Sequence, residues 1–221
     1  MPALVPNRFL VRLAHACPYH RAMPIAKGDA LLELPESARL SNSADLDGRA
    51  DFADLRLAWN EFGLGVQLTV PDKRQPTQGD AERPRSADGL TLWLDTRDGR
   101  TSHRAGRTCH QFHFLPTGGG PEKDAPAFGQ SKVNRAQQDA PFADASTVLI
   151  RHRPMKAGYR LEAFLPAAAL TGFDPEQHPR WGVYYHIRDQ ELGDQYLGVN
   201  AEFPFADDPS LWDVLELVRP A

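Results

Sequence analysis

Seven residues carry side chains suited to holding a small polar molecule: Thr91, Trp93, Gln111, His113, Tyr184, His186 and Arg188. Within each of three short segments they recur at every second position, the period of an extended strand, so each group shares one side of its strand. The residues between them are Leu90, Leu92 and Leu94, then Phe112 and Phe114, then Val183, Tyr185 and Ile187, which read as core-facing. An aromatic ring beside planar hydrogen-bonding groups gives stacking area together with directional donors and acceptors, which a sugar or another small polar ligand requires. Trp93 is then the stacking platform, and Arg188, His113 and His186 are the hydrogen-bonding groups, the two histidines changing charge near neutral pH. On this reading Trp93→Ala abolishes binding and barely moves the melting temperature.

Other chemistry is poorly signposted. Gly118-Gly119-Gly120 is followed by Pro-Glu-Lys, not by the Gly-Lys-Ser/Thr of a phosphate loop. There is no G-x-S-x-G nucleophile elbow and no H-E-x-x-H zinc motif. His110 and His113 are three apart on a segment that reads as a strand, which sends them to opposite faces and away from a common metal. His113, His186 and Asp95 offer acid–base groups, but no nucleophile accompanies them, so no catalytic residue is assigned. Cys17 and Cys109 are too few and too far apart for a disulfide framework or a zinc knuckle, and read as free, buried thiols.

The elements that must position the seven residues are strands. Leu55, Leu57 and Trp59, then Leu64, Val66, Leu68 and Val70, alternate with smaller or polar residues across a tight break at 61–63, which reads as a β-hairpin. Segments 147–151, 159–165, 183–188 and 211–218 also read as strands, with two more at 8–13 and 30–34. Helical periodicity is almost absent. A single helical turn is expected at 166–170 and another around 133–138, the latter inside the long polar loop 117–145; a second long loop spans 71–87. Many short strands separated by turns, with no linker-like shift in composition, indicate an all-β chain: one antiparallel, jelly-roll-like β-sandwich domain over 1–221. Leu57, Trp59, Val66, Leu68, Leu92, Phe112, Leu161 and Ile187 form its expected core.

The chain has 221 residues, 25 Lys plus Arg against 29 Asp plus Glu, and 41% hydrophobic residues. This is a globular composition, and a net charge of −4 disfavours a general nucleic-acid binder. No apolar run is long enough to span a bilayer, and the first twenty residues lack the unbroken apolar stretch of a signal peptide. The expected compartment is the cytoplasm, or a secreted or periplasmic one if the native start lies upstream.

Six blocks in order resemble the family 9 carbohydrate-binding modules and their DOMON-like relatives. They are LRLAWNEFGLGVQLTV at 55–70, DGLTLWLDTRD at 88–98, CHQFHFLP at 109–116, GYRLEAFLPAAAL at 158–170, GVYYHIRD at 182–189 and DPSLWDVLELV at 208–218. The resemblance runs from 55 to 218 and implies a jelly-roll sandwich. It also implies that Trp59 and Trp212 are packing residues and that Glu162 is structural. Sugar-binding members of that family clamp a terminal sugar between two tryptophans. Here the first position falls in 83–87, which has no aromatic residue, and the second in 203–208, where Phe203 or Phe205 stands in. The family's Glu, Arg and Gln on the three central strands correspond to Thr91, His113 and His186.

The function expected is therefore a non-catalytic module that binds carbohydrate or another small polar ligand on a concave sheet face. The alternatives are a protein–protein interaction domain on a sandwich that lost its sugar clamp, and a DOMON-like haem-binding domain. An Arg-rich loop, Arg97, Arg100, Arg104 and Arg107 with His103 among them, offers a surface for an acidic partner. No cofactor is expected. Structural calcium, which the resemblance implies for some members, would draw on oxygen-rich loops such as 95–98. Haem would require a methionine near the concave face, where Met23 and Met155 are the candidates, or His113 and His186 as a pair.

Overall fold

The computed structural model describes residues 7–43, 46, 48–99 and 101–219. Among these residues eleven strands form two sheets. The larger sheet runs β1 (Ala14–Pro18), β11 (Asp213–Val218), β9 (Arg180–Asp189), β4 (Gly89–Asp95), β5 (Cys109–Gly119) and β6 (Ala125–Ser131), with β10 (Gly193–Tyr196) paired to the far end of β9. The smaller sheet runs β2 (Asp54–Asn60), β3 (Gly63–Pro71), β8 (Gly158–Pro166) and β7 (Leu149–Pro154). Among the described residues the named strands pair antiparallel except β1 with β11. The alternation read from the sequence is the cause: each sheet must bury one apolar face, and the two inner faces do so against each other.

All eight expected core residues are buried between the sheets. Trp59 sits edge-on to Tyr19 and Trp212 is fully enclosed. The hairpin at 61–63 forms as expected, with Asn60 opposite Gly63. Its glycine is required, because a Cβ there would lie 2.0 Å from the Leu165 carbonyl oxygen. His110 stacks on Phe112 on the inner face, while Gln111 and His113 point to the other side. Cys17 and Cys109 are free and buried.

Several local expectations need correction. Segment 8–13 is not a strand: Asn7–Leu10 form a 3-10 turn, and the edge strand begins at Ala14. Segment 30–34 is not a strand either. Its amides bond to side chains rather than to a neighbouring strand, Leu31 and Leu32 to Glu162 Oε2 (2.6 and 3.1 Å) and Leu34 to Gln67 Oε1 (3.1 Å). This stretch lays Met23, Leu31, Leu32, Leu34 and Ala38 over Ala58 and Phe164 on the outer face of the smaller sheet, making a second apolar cluster. The loop 117–145 contains β6, whose Pro- and Gly-bearing sequence hid it, and only a turn at 134–135 replaces the helical turn expected near 133–138. The turn at 166–170 is a 3-10 turn over Ala167–Ala169, with Pro166 as its cap.

Candidate functional site

The seven residues meet on the outer face of the larger sheet. Antiparallel register sets Thr91 opposite both His113 and His186, and Trp93 opposite both Gln111 and Tyr184, while Arg188 pairs with Gly89. Strand parity alone could align each group within its strand; the order β9-β4-β5 brings the three groups side by side.

That face is roofed. Phe205 stacks on Tyr184 (4.5 Å between ring centroids) and meets Trp93 edge-on at 5.5 Å, and the Tyr184 hydroxyl donates to the Val199 carbonyl. Trp93 is 2% exposed, so it is no open stacking platform, and its Nε1 has no hydrogen-bond partner among the described residues. Phe203, the other aromatic of that loop, stacks on Phe9. From the opposite side the turn Pro84–Ser86 leans over β5, and Arg85 Nη2 donates to Gln111 Oε1 at 3.0 Å.

Beneath Arg85 lies a buried polar chain. His113 Nδ1 meets Thr91 Oγ1 at 3.1 Å, and its Nε2 meets Ser131 Oγ at 2.9 Å and the Gln111 side chain at 3.3 Å. Burial, with the Arg85 charge beside it, pushes His113 down to about 4. It is therefore neutral at pH 7, which corrects the expectation that it changes charge near neutrality. With both ring nitrogens held by side chains, it is also poorly placed to be a haem ligand.

His186 and Arg188 remain part-exposed. The strand β10 adds Asp194 and Tyr196 to the same face, register partners of Arg188 and His186. His186 Nε2 lies 2.7 Å from Asp194 Oδ1, and its ring stacks on Tyr196 at 4.5 Å, nearly parallel to it. The His186 bond holds the Asp194 carboxyl below the usual carboxylate range. Beside this pair opens a cavity of about 400 Å³ lined by Arg49, Asp194, Tyr196, Asn200 and Glu202 among others. Sequence reasoning missed these residues. The one available signal was the alternation of Asp194 and Tyr196 around Gln195, in a stretch of four residues too short to stand out.

In the loop 95–98 the Asp95 carboxylate is held by donors of the chain itself. Asp95 Oδ1 accepts from the Arg97 amide and from Thr108 Oγ1, and Oδ2 from the Gly99 amide at 2.6 Å. Among the described residues no three His, Cys, Asp or Glu side chains converge as a ligand set. In the Arg-rich loop, Arg97 donates to the Gly172 carbonyl, Arg104 to that of Arg135, and His103 pairs with Asp208; Arg100 lies outside the described residues.

No family model and no curated protein matches the chain. Two solved structures match along almost its whole length. A family 9 carbohydrate binding module from Caldicellulosiruptor kristjanssonii, in complex with glucose, superposes with a TM-score of 0.61 at 14% identity, over 95% of this chain and 97% of that one. A family 9 module from the same organism, in complex with cellotriose, superposes with a TM-score of 0.62 at 14% identity, over 95% of each chain. At that identity the likeness is one of fold: the chain has the β-sandwich fold seen in those modules.

Proposed function

We propose that this protein is a non-catalytic binding module for a saccharide or a closely related hydroxyl-rich ligand, taken up at the β10 rim of the larger sheet's outer face. The observation that carries the reading is the cavity beside His186 and Arg188. It combines two carboxylates, an amide, a guanidinium and a tyrosine ring within about 400 Å³. Carboxylates and amides bond pairs of sugar hydroxyls, and an aromatic ring covers the apolar C–H face of a pyranose. The fold likeness to modules solved with glucose and cellotriose supports the same reading. The buried half of the face, from Trp93 to His113, then serves as the rigid floor that fixes β9 and β10.

Calorimetric titration with glucose and cellotriose, beside a glycan array, tests this. Saturable binding is expected, falling at least tenfold in Asp194→Ala and Asn200→Ala with little change in melting temperature. Absence of binding to any glycan would overturn it. The roof of Phe205 and Arg85 over the central face favours, as second reading, an interaction domain on a closed sandwich, and blanks in both assays would move the function there. A Soret band in the purified protein would instead indicate haem.

A further inference from the structure

Where β3 ends and β8 begins, a cavity of about 290 Å³ opens between the segment after β3 and the β7–β8 hairpin. Its walls carry Lys73, Arg74 and Lys156 and no acidic residue, in a chain whose net charge is −4. Lys73 is already neutralised, buried between Asp189 (2.9 Å) and Asp88 (3.1 Å). Arg74 and Lys156 have no carboxylate partner among the described residues; the nearby Glu191 is bound to the backbone amides of Arg74 and Gln75. Tyr159 also lines the cavity. It is 1% exposed, and its hydroxyl has no hydrogen-bond partner among the described residues, nor has Nε2 of the adjacent His152. A buried hydroxyl and a buried ring nitrogen left unbonded, beside a wall that carries Arg74 and Lys156, are groups that a ligand would satisfy.

We propose that this cavity is a second binding site, for a small oxyanion such as a carboxylate or phosphate group, held by Arg74 and Lys156 at the mouth with the Tyr159 hydroxyl donating from behind. Met155, Pro76 and Pro154 give the walls apolar area that would accept the carbon skeleton of an organic acid. The site is separate from the β10 rim and does not depend on the saccharide reading.

The test is an amide NMR titration with inorganic phosphate and, separately, acetate, against a chloride series of equal ionic strength. Saturable shifts confined to the amides of residues 74–77 and 156–159 are expected for at least one of the two anions, and which one responds distinguishes a phosphate from a carboxylate source. Arg74→Ala combined with Lys156→Ala should weaken binding at least tenfold, and Tyr159→Phe three- to tenfold without unfolding the protein. No saturable shift with either anion, the same shifts with chloride, or unchanged affinity in both the double variant and Tyr159→Phe would each overturn the proposal.

Discussion

Trp93 shows how one residue changes meaning once its surroundings are known. Its parity places it on the non-core face, yet Phe205 and Tyr184 enclose it there. Trp93→Ala is therefore expected to cost about 3–5 kcal/mol, the range for emptying a buried aromatic site, and to lower the melting temperature instead of leaving it unchanged. Thermal unfolding of the variant checks this directly. The buried histidines give a second expectation. Burial pushes both His110 and His113 down to about 4. Unfolded, each would titrate near 6.5, so below that pH the unfolded chain binds more protons than the folded one. Their contribution is complete above about pH 6.5, is lost as the pH falls toward 4, and is on the order of 3 kcal/mol each. Urea unfolding at pH 7.5, 5.5 and 4.5 should show the decline, and a flat profile would contradict the neutral, buried assignment.

At the scale of elements, side chains take over work that strands do elsewhere. Glu162 faces outward from β8 and accepts the amides of Leu31 and Leu32, with Arg153 Nη1 at 3.4 Å from its other oxygen. Gly65 lets the covering segment close, since a Cβ there would stand 2.8 Å from Met23 Sδ. Gln195 does the same between β10 and the chain before β2, accepting from the Phe52 and Ala53 amides and donating to the Ala53 carbonyl. Glu162→Ala leaves two buried amides without an acceptor, at about 1–3 kcal/mol each. Hydrogen exchange at Leu31 and Leu32 should speed up much more than at β4 or β9. Equal protection in the variant would show that the segment is held by its apolar contacts alone.

Across the whole molecule, the two sheets are joined by the apolar interior and, at one end, by ions. Lys73 lies two residues beyond the end of β3 in the smaller sheet, whereas Asp88 precedes β4 and Asp189 ends β9 in the larger one. All three side chains are almost fully enclosed. Removing the cation leaves two buried carboxylates facing each other, so Lys73→Met is expected to lose about 3–5 kcal/mol. Denaturant unfolding measures it, and a neutral result would mean that water reaches the triad. The same end carries the proposed oxyanion cavity, whose wall includes Lys73.

The sequence by itself determined which residues fill the interior between the sheets and on which side of a strand each one lies. Both follow from local rules, the two-residue period and the transfer of apolar side chains out of water, and Leu57, Trp59, Phe112 and Ile187 obey them. It determined the convergence of Thr91, Trp93, Gln111, His113, Tyr184, His186 and Arg188 only in part, because strand order depends on contacts far apart in the chain. Three strands escaped it: β1, which lies just beyond the segment 8–13, β6, interrupted by Pro and Gly, and β10, with four residues. What covers each outer face was decided by tertiary structure alone. Segments 23–38 and 199–208 have no periodicity, and their places are set by single acceptors such as Glu162 and single rings such as Phe205. Such contacts join residues up to 131 positions apart, so no local pattern in the chain announces them.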